Sequence, residues 1–115
     1  MRKLFLLLAL STLSLAAQNH SVTLSWAWTQ GTGDIATGFH IQRSATSGGP
    51  YTTIATISSP TTLTYIDTNV VAGQQYYYVV TAFNSGGDSV PSNQVACTIP
   101  FQAPATPTGL SSTVK

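Results

Sequence analysis

The sequence contains no glutamate, one cysteine and few charges of either sign: charged residues make up 6% of it, four Lys or Arg against three Asp. A single cysteine cannot form an internal disulfide, so the fold must be held by its core alone. Without a basic patch there is nothing to track a phosphate backbone, which excludes nucleic acid as a partner. Catalysis fails on the same inventory. Asp34, Asp67 and Asp88 are expected in turns, where a carboxylate caps nearby backbone groups. His20 is expected beside the mature N-terminus and His40 on the outward face of a strand, so no His/Cys/Asp set has metal-ligand or triad spacing. No Ser lies in a nucleophile-elbow context. We therefore expect no enzyme activity, no metal and no cofactor. Disorder is excluded too, because the low charge accompanies 43% hydrophobic and 10% aromatic residues that can bury surface.

There is also no long hydrophobic run. The longest begins at Leu4, behind Arg2 and Lys3, and continues to Leu15 with only Ser11, Thr12 and Ser14 interrupting it. About twelve apolar residues fall short of the roughly 20 that a helix needs to cross a bilayer. A basic n-region, an apolar h-region and the small residues Ser14, Ala16 and Ala17 read instead as a signal peptide over residues 1–16, with cleavage after Ala17 as the alternative. The product is expected to be secreted, extracellular or periplasmic, with no membrane insertion after cleavage. Its roughly 99 residues suffice for one domain with a core.

What is present is alternation. Val22, Leu24 and Trp26 alternate with Thr23, Ser25 and Ala27, and Phe39 and Ile41 alternate with His40 and Gln42. Residues 51–57 form a Thr-rich strand, and Leu63 and Tyr65 mark another. From Gln75 to Phe83, one face carries Tyr76, Tyr78, Val80 and Ala82, while Tyr77, Val79, Thr81 and Phe83 share the other. Val95, Cys97 and Ile99 close the set, with Cys97 expected as a small hydrophobe facing inward. Period two, with Gly, Pro, Asn and Ser clusters between the runs and no capped 3.6-residue period, predicts an all-β chain without helix. Short strands at this spacing indicate a two-sheet antiparallel, immunoglobulin-like sandwich of about six or seven strands.

The motifs are more specific than the class. Residues 22–26, Val-Thr-Leu-Ser-Trp, resemble the second strand of fibronectin type III domains, with Trp26 filling the centre of the core. Gly38 to Ser44, followed by Gly48-Gly49-Pro50-Tyr51, is similar to the family's third strand and its turn. Asp67 to Val70, Gly73, Tyr76, Tyr78, Val80, Ala82 and Asn84 resemble strand F, and Gly87, Ser89, Ser92, Asn93 and Val95 resemble the last turn and strand G. The resemblance covers residues 21–100 and implies a core built on Trp26, Tyr76, Leu24, Ile41, Tyr78 and Val80. It places Tyr76 at a tyrosine corner, its hydroxyl bonded to backbone between Val70 and Gly73. The domain is thus expected over residues 17–100. The family's Pro-containing first strand is short or absent. The Pro/Thr/Ser-rich tail, residues 101–115, resembles the opening strand of a further such domain.

Binding is the function class that survives. One candidate surface is the loop set of residues 29–37 and 84–90, with Trp28 at its edge. The other is the outward strand face, where Tyr77 and Phe83 line up beside His40 and Gln42. These residues imply a secreted binding, spacer or adhesion module whose partner is a protein or glycan on an extracellular surface. Two alternatives stand beside it: a fragment of a larger secreted protein, or a structural subunit that self-associates head to tail by donating its C-terminal tail as a strand.

Overall fold

The computed structural model describes residues 20–115; the expected signal peptide, residues 1–16, lies outside them. Seven strands follow in order: β1 (Val22–Ser25), β2 (Gly38–Ser44), β3 (Thr52–Ile57), β4 (Thr64–Asp67), β5 (Gln75–Asn84), β6 (Gly87–Asp88) and β7 (Val95–Thr98). All pairings are antiparallel. β1 and β4 form one sheet, and the other runs β3-β2-β5, with β6 and β7 occupying successive stretches of the second edge of β5. The fold class is the all-β, two-sheet sandwich that the alternation predicts. Among the described residues no strand pairs the outer edge of β1.

Two glycines show why the chain takes this path. A side chain on Gly38 would put its Cβ 1.8 Å from the Ile57 carbonyl oxygen, so only glycine lets β2 and β3 approach there. Asn84 and Gly87 pair across a two-residue hairpin in which Asn84 Oδ1 accepts from the Gly86 amide at 2.7 Å and Gly87 takes φ of 123°. That hairpin makes β6 a strand within a segment expected to be turn. Beyond β6 the side chains keep the ladder going. Ser89 and Ser92 oxygens accept from the Ala82 and Val80 amides at 3.0 and 2.9 Å, while their own amides donate to the carbonyls of the same two residues.

The core centres on Tyr78, Phe39 and Ile41, each at most 1% exposed, with Leu24 and Val22 from the facing sheet. Trp26 does not fill the centre. It follows the last residue of the four-residue β1 and remains half-buried, meeting Phe39 edge to face at 5.4 Å. Tyr76 and Val80 are also half-buried against this cluster. The Tyr76 hydroxyl accepts from the Val71 amide at 3.0 Å, and Arg43 lies over its ring.

Three expectations are corrected. Val79 and Thr81 do not form an open outer face; both are 4% exposed, because β5 is flanked on both edges and pairs Gln42 and His40 directly beside them. Asp67 and Asp88 end strands rather than sit in turns. Val95 does not face inward: it is 40% exposed, whereas Ile99 is buried and the free Cys97 thiol is half-buried against the core.

Candidate functional site

At the end of the sandwich where β5 finishes, the chain between β1 and β2 and the β5–β6 hairpin enclose a cleft of about 460 Å³. Its first wall is organised by one side chain. Gln30 donates through Nε2 to the carbonyls of Gly33 and Asp34, both at 3.1 Å, and accepts the Ala36 amide at 3.2 Å on Oε1. A glycine-rich loop that would otherwise be loose is thereby closed around its own glutamine. The Thr37 amide then ties it to Phe83 O at 2.7 Å. Trp28 lines the cleft while its ring meets Phe39 edge to face at 5.7 Å, so the indole is held from the core side.

The second wall is the hairpin. Pairing of Phe83 with Asp88 puts the Asp88 carboxylate beside β2 and β5. Its Oδ2 accepts from Thr81 Oγ1 at 2.7 Å and meets His40 Nδ1 at 2.8 Å. The His40 ring lies flat on Phe83, centroids 4.1 Å apart and planes 8° apart. The hydrogen bonds from His40 and Thr81 hold the Asp88 pKa below the ordinary carboxylate value. Phe83, Asn84, Asp88 and, from the opposite wall, Asp34 face the same space. Aromatic surface and carboxylate and amide acceptors converge there, and among the described residues no Lys or Arg lines the cleft.

Of the five sequence-derived binding candidates, the structure gathers Trp28, Phe83 and His40 at this end. Gln42 and Tyr77 lie elsewhere: Gln42 donates to Thr53 Oγ1 at 3.3 Å, and Tyr77 is half-buried opposite Ser44, near the start of β5. Gln30 and Asp88 fall within the loop set of residues 29–37 and 84–90 that the sequence offered, but were not singled out there. For Asp88 the signal was the Asn-Ser-Gly-Gly turn, whose two-residue loop sets the register that brings it to Phe83.

A second polar cluster lies toward the other end. Asp67 is 3% exposed and its Oδ2 accepts from Arg43 Nη1 and the Tyr78 hydroxyl, both at 2.7 Å; Oδ1 takes the Asn69 amide at 3.0 Å. Burial works to raise its pKa, but the bonds from Tyr78, Arg43 and Asn69 together outweigh it and the carboxyl titrates low. Burial first, then the bond to Asp67, push the Tyr78 phenol up. Both Asp67 oxygens are taken by neighbours, and the bond from Arg43 of β2 to Asp67 of β4 ties the two sheets together. Among the described residues no group of three His, Cys, Asp or Glu can hold a metal ion, and no helix is long and apolar enough to cross a membrane.

The family described as "Fibronectin type III domain" matches residues 9–98. That match begins inside the stretch expected as the h-region. An amylopullulanase from Thermoanaerobacter thermohydrosulfuricus is 40% identical over 87 residues, 75% of this chain and 6% of its own length. The chain thus spans a small part of that relative. Among solved structures, a Fn3-like protein from Clostridium thermocellum aligns with TM-score 0.58 and 36% identity over 76% of this chain and 83% of its own. A β-1,2-glucanase from Parabacteroides distasonis aligns with TM-score 0.58 and 26% identity, over 74% of this chain and 12% of that one.

Proposed function

Since the chain belongs to the fibronectin type III family, we propose that it is a non-catalytic accessory module of a secreted, glycan-active protein and that it contacts glycan through the cleft between Trp28 and the β5–β6 hairpin. The observation that carries this reading is the convergence in one cleft of Trp28 and Phe83 with the carboxylates of Asp34 and Asp88. A sugar ring presents an apolar face of C–H groups and a rim of hydroxyls. The first suits an aromatic wall and the second suits carboxylate acceptors fixed in place. His40 and Thr81 fix Asp88, and Gln30 fixes the opposite loop, so little ordering remains to be done on binding. The relatives supply the substrate class: the name amylopullulanase points to amylose and pullulan. Extracellular export through the N-terminal segment belongs to the same reading.

Calorimetric titration with oligosaccharides cut from amylose and pullulan tests it. Binding should weaken at least tenfold in Trp28→Ala, about 1.4 kcal/mol or more, and stay unchanged in Tyr77→Ser. Binding that survives Trp28→Ala unaltered places the glycan on another surface. No binding by the parent chain leaves a spacer role without a glycan contact.

A further inference from the structure

The polar groups that line the cleft between Trp28 and the β5–β6 hairpin are occupied unevenly. The protein uses the amide side chains itself. Gln30 gives Nε2 to the carbonyls of Gly33 and Asp34 and takes the Ala36 amide on Oε1, and Asn84 takes the Gly86 amide on Oδ1. The carboxylates remain open. Both bonds to Asp88, from His40 and from Thr81, fall on Oδ2, and Oδ1 has no partner among the described residues. Asp34 is exposed on the opposite wall; Gln30 reaches only its backbone carbonyl, and neither ion pair of the described residues involves it. An ionised carboxylate accepts hydrogen bonds and donates none. A ligand in this cleft therefore meets side-chain acceptors that carry negative charge.

No neighbouring side chain in the lining offsets that charge. The described residues hold one Arg and one Lys. Arg43 is committed to Asp67 and the Asn69 carbonyl toward the other end, and Lys115 ends the exposed tail. His40 is outside the lining, its ring flat on Phe83 and its Nδ1 on Asp88 Oδ2. The bonds from His40 and Thr81 also hold the Asp88 carboxyl below the ordinary carboxylate range, so it is ionised at neutral pH.

We infer that the cleft selects its ligand by charge, admitting sugars that bear hydroxyl or ammonium groups and turning away acidic sugars, with Asp88 and Asp34 as the selecting residues. The inference rests on the cleft being the glycan contact proposed above and adds to it the class of glycan that is excluded. A hydroxyl can donate to either carboxylate. An ammonium group does so with charge assistance, in a bond roughly twice as strong as a neutral one. A uronate at the same place has no proton to give and sets a second anion against Asp88, a like-charge contact that costs affinity and discriminates against the wrong partner.

Calorimetric titration of the whole chain with three matched ligands tests this: a short amylose oligosaccharide, the same oligosaccharide oxidised to the carboxylate at every C6, and the same oligosaccharide carrying an amine at every C6. At neutral pH and low salt the amine form should bind about fivefold or more tighter than the hydroxyl form, and the carboxylate form about fivefold or more weaker. Both ratios should shrink as salt is raised. Asp88→Asn keeps an oxygen for His40 and Thr81, and Asp34→Asn removes no bond that the described residues make to that side chain. Each variant should draw the three affinities together, and the double variant should bind the hydroxyl and carboxylate forms alike. The readout is the ratio, because a residue that only holds the hairpin in shape lowers all three affinities by one factor. Ratios unmoved in both variants, or a parent that binds the carboxylate form as tightly as the hydroxyl form, overturn the inference and leave the cleft as the glycan contact. A parent that binds none of the three overturns the glycan contact and the selection together.

Discussion

Asp67 shows how much one carboxylate holds in a chain with few charges. It joins β4 to Arg43 of β2 and Tyr78 of β5, with every lone-pair direction that matters occupied. Asp67→Asn should cost about 2 to 3 kcal/mol, because Arg43 is left half-buried without its counter-charge. The pH dependence has a definite sign. An Asp pKa is about 3.9 in an unfolded chain, and the native value of Asp67 lies lower. Its contribution is therefore complete above about pH 4 and disappears as pH falls through the native value. Urea unfolding between neutral pH and pH 2 should show the parent losing stability over that range and Asp67→Asn losing less. Tyr76→Phe should cost about 1 kcal/mol, the worth of the bond from the Val71 amide. Neither Arg43 nor Tyr78 was legible in the sequence as a partner of Asp67. They come from strands 11 and 24 residues away, and a turn-capping role, which Asp67 also fills at the Asn69 amide, explained the residue locally.

At the scale of elements, what was legible depended on how many sides of a strand are covered. β1 and β2 each have one dry face, so alternation writes their burial directly, and Leu24, Ile41 and Phe39 are where it puts them. β5 has both faces covered: Val79 and Thr81 look outward by periodicity yet are buried, Thr81 under its bond to Asp88. Trp26 errs the other way, since its size argues for the centre while its place after a short strand leaves it at the rim. Trp26→Ala should accordingly cost about 2 to 3 kcal/mol and Tyr78→Ala about 4 or more, a ranking that melting curves can read. Close strand approach sets a second ranking. Gly38→Ala forces β2 off the Ile57 carbonyl and should cost about 3 kcal/mol. Gly87→Ala meets open space and bears only the strain of its positive φ, about 1 to 2 kcal/mol.

Across the whole molecule, stability rests on packing without a covalent staple. Cys97 is a lone thiol, half-buried in the core region, so a reducing agent should leave the melting temperature where it is. Class, strand order and the cleft's two loops were readable from the chain because turn chemistry and alternation are local. The bonds that hold Asp88 were not, because the contact with His40 joins residues 48 positions apart. The ends of the described domain add a mechanical consequence. The chain enters β1 at Val22 and leaves β7 at Thr98, both at the end away from the cleft, and each strand is held by four residue pairs. Force applied between these two points peels each ladder one pair at a time, the weak direction of a sheet.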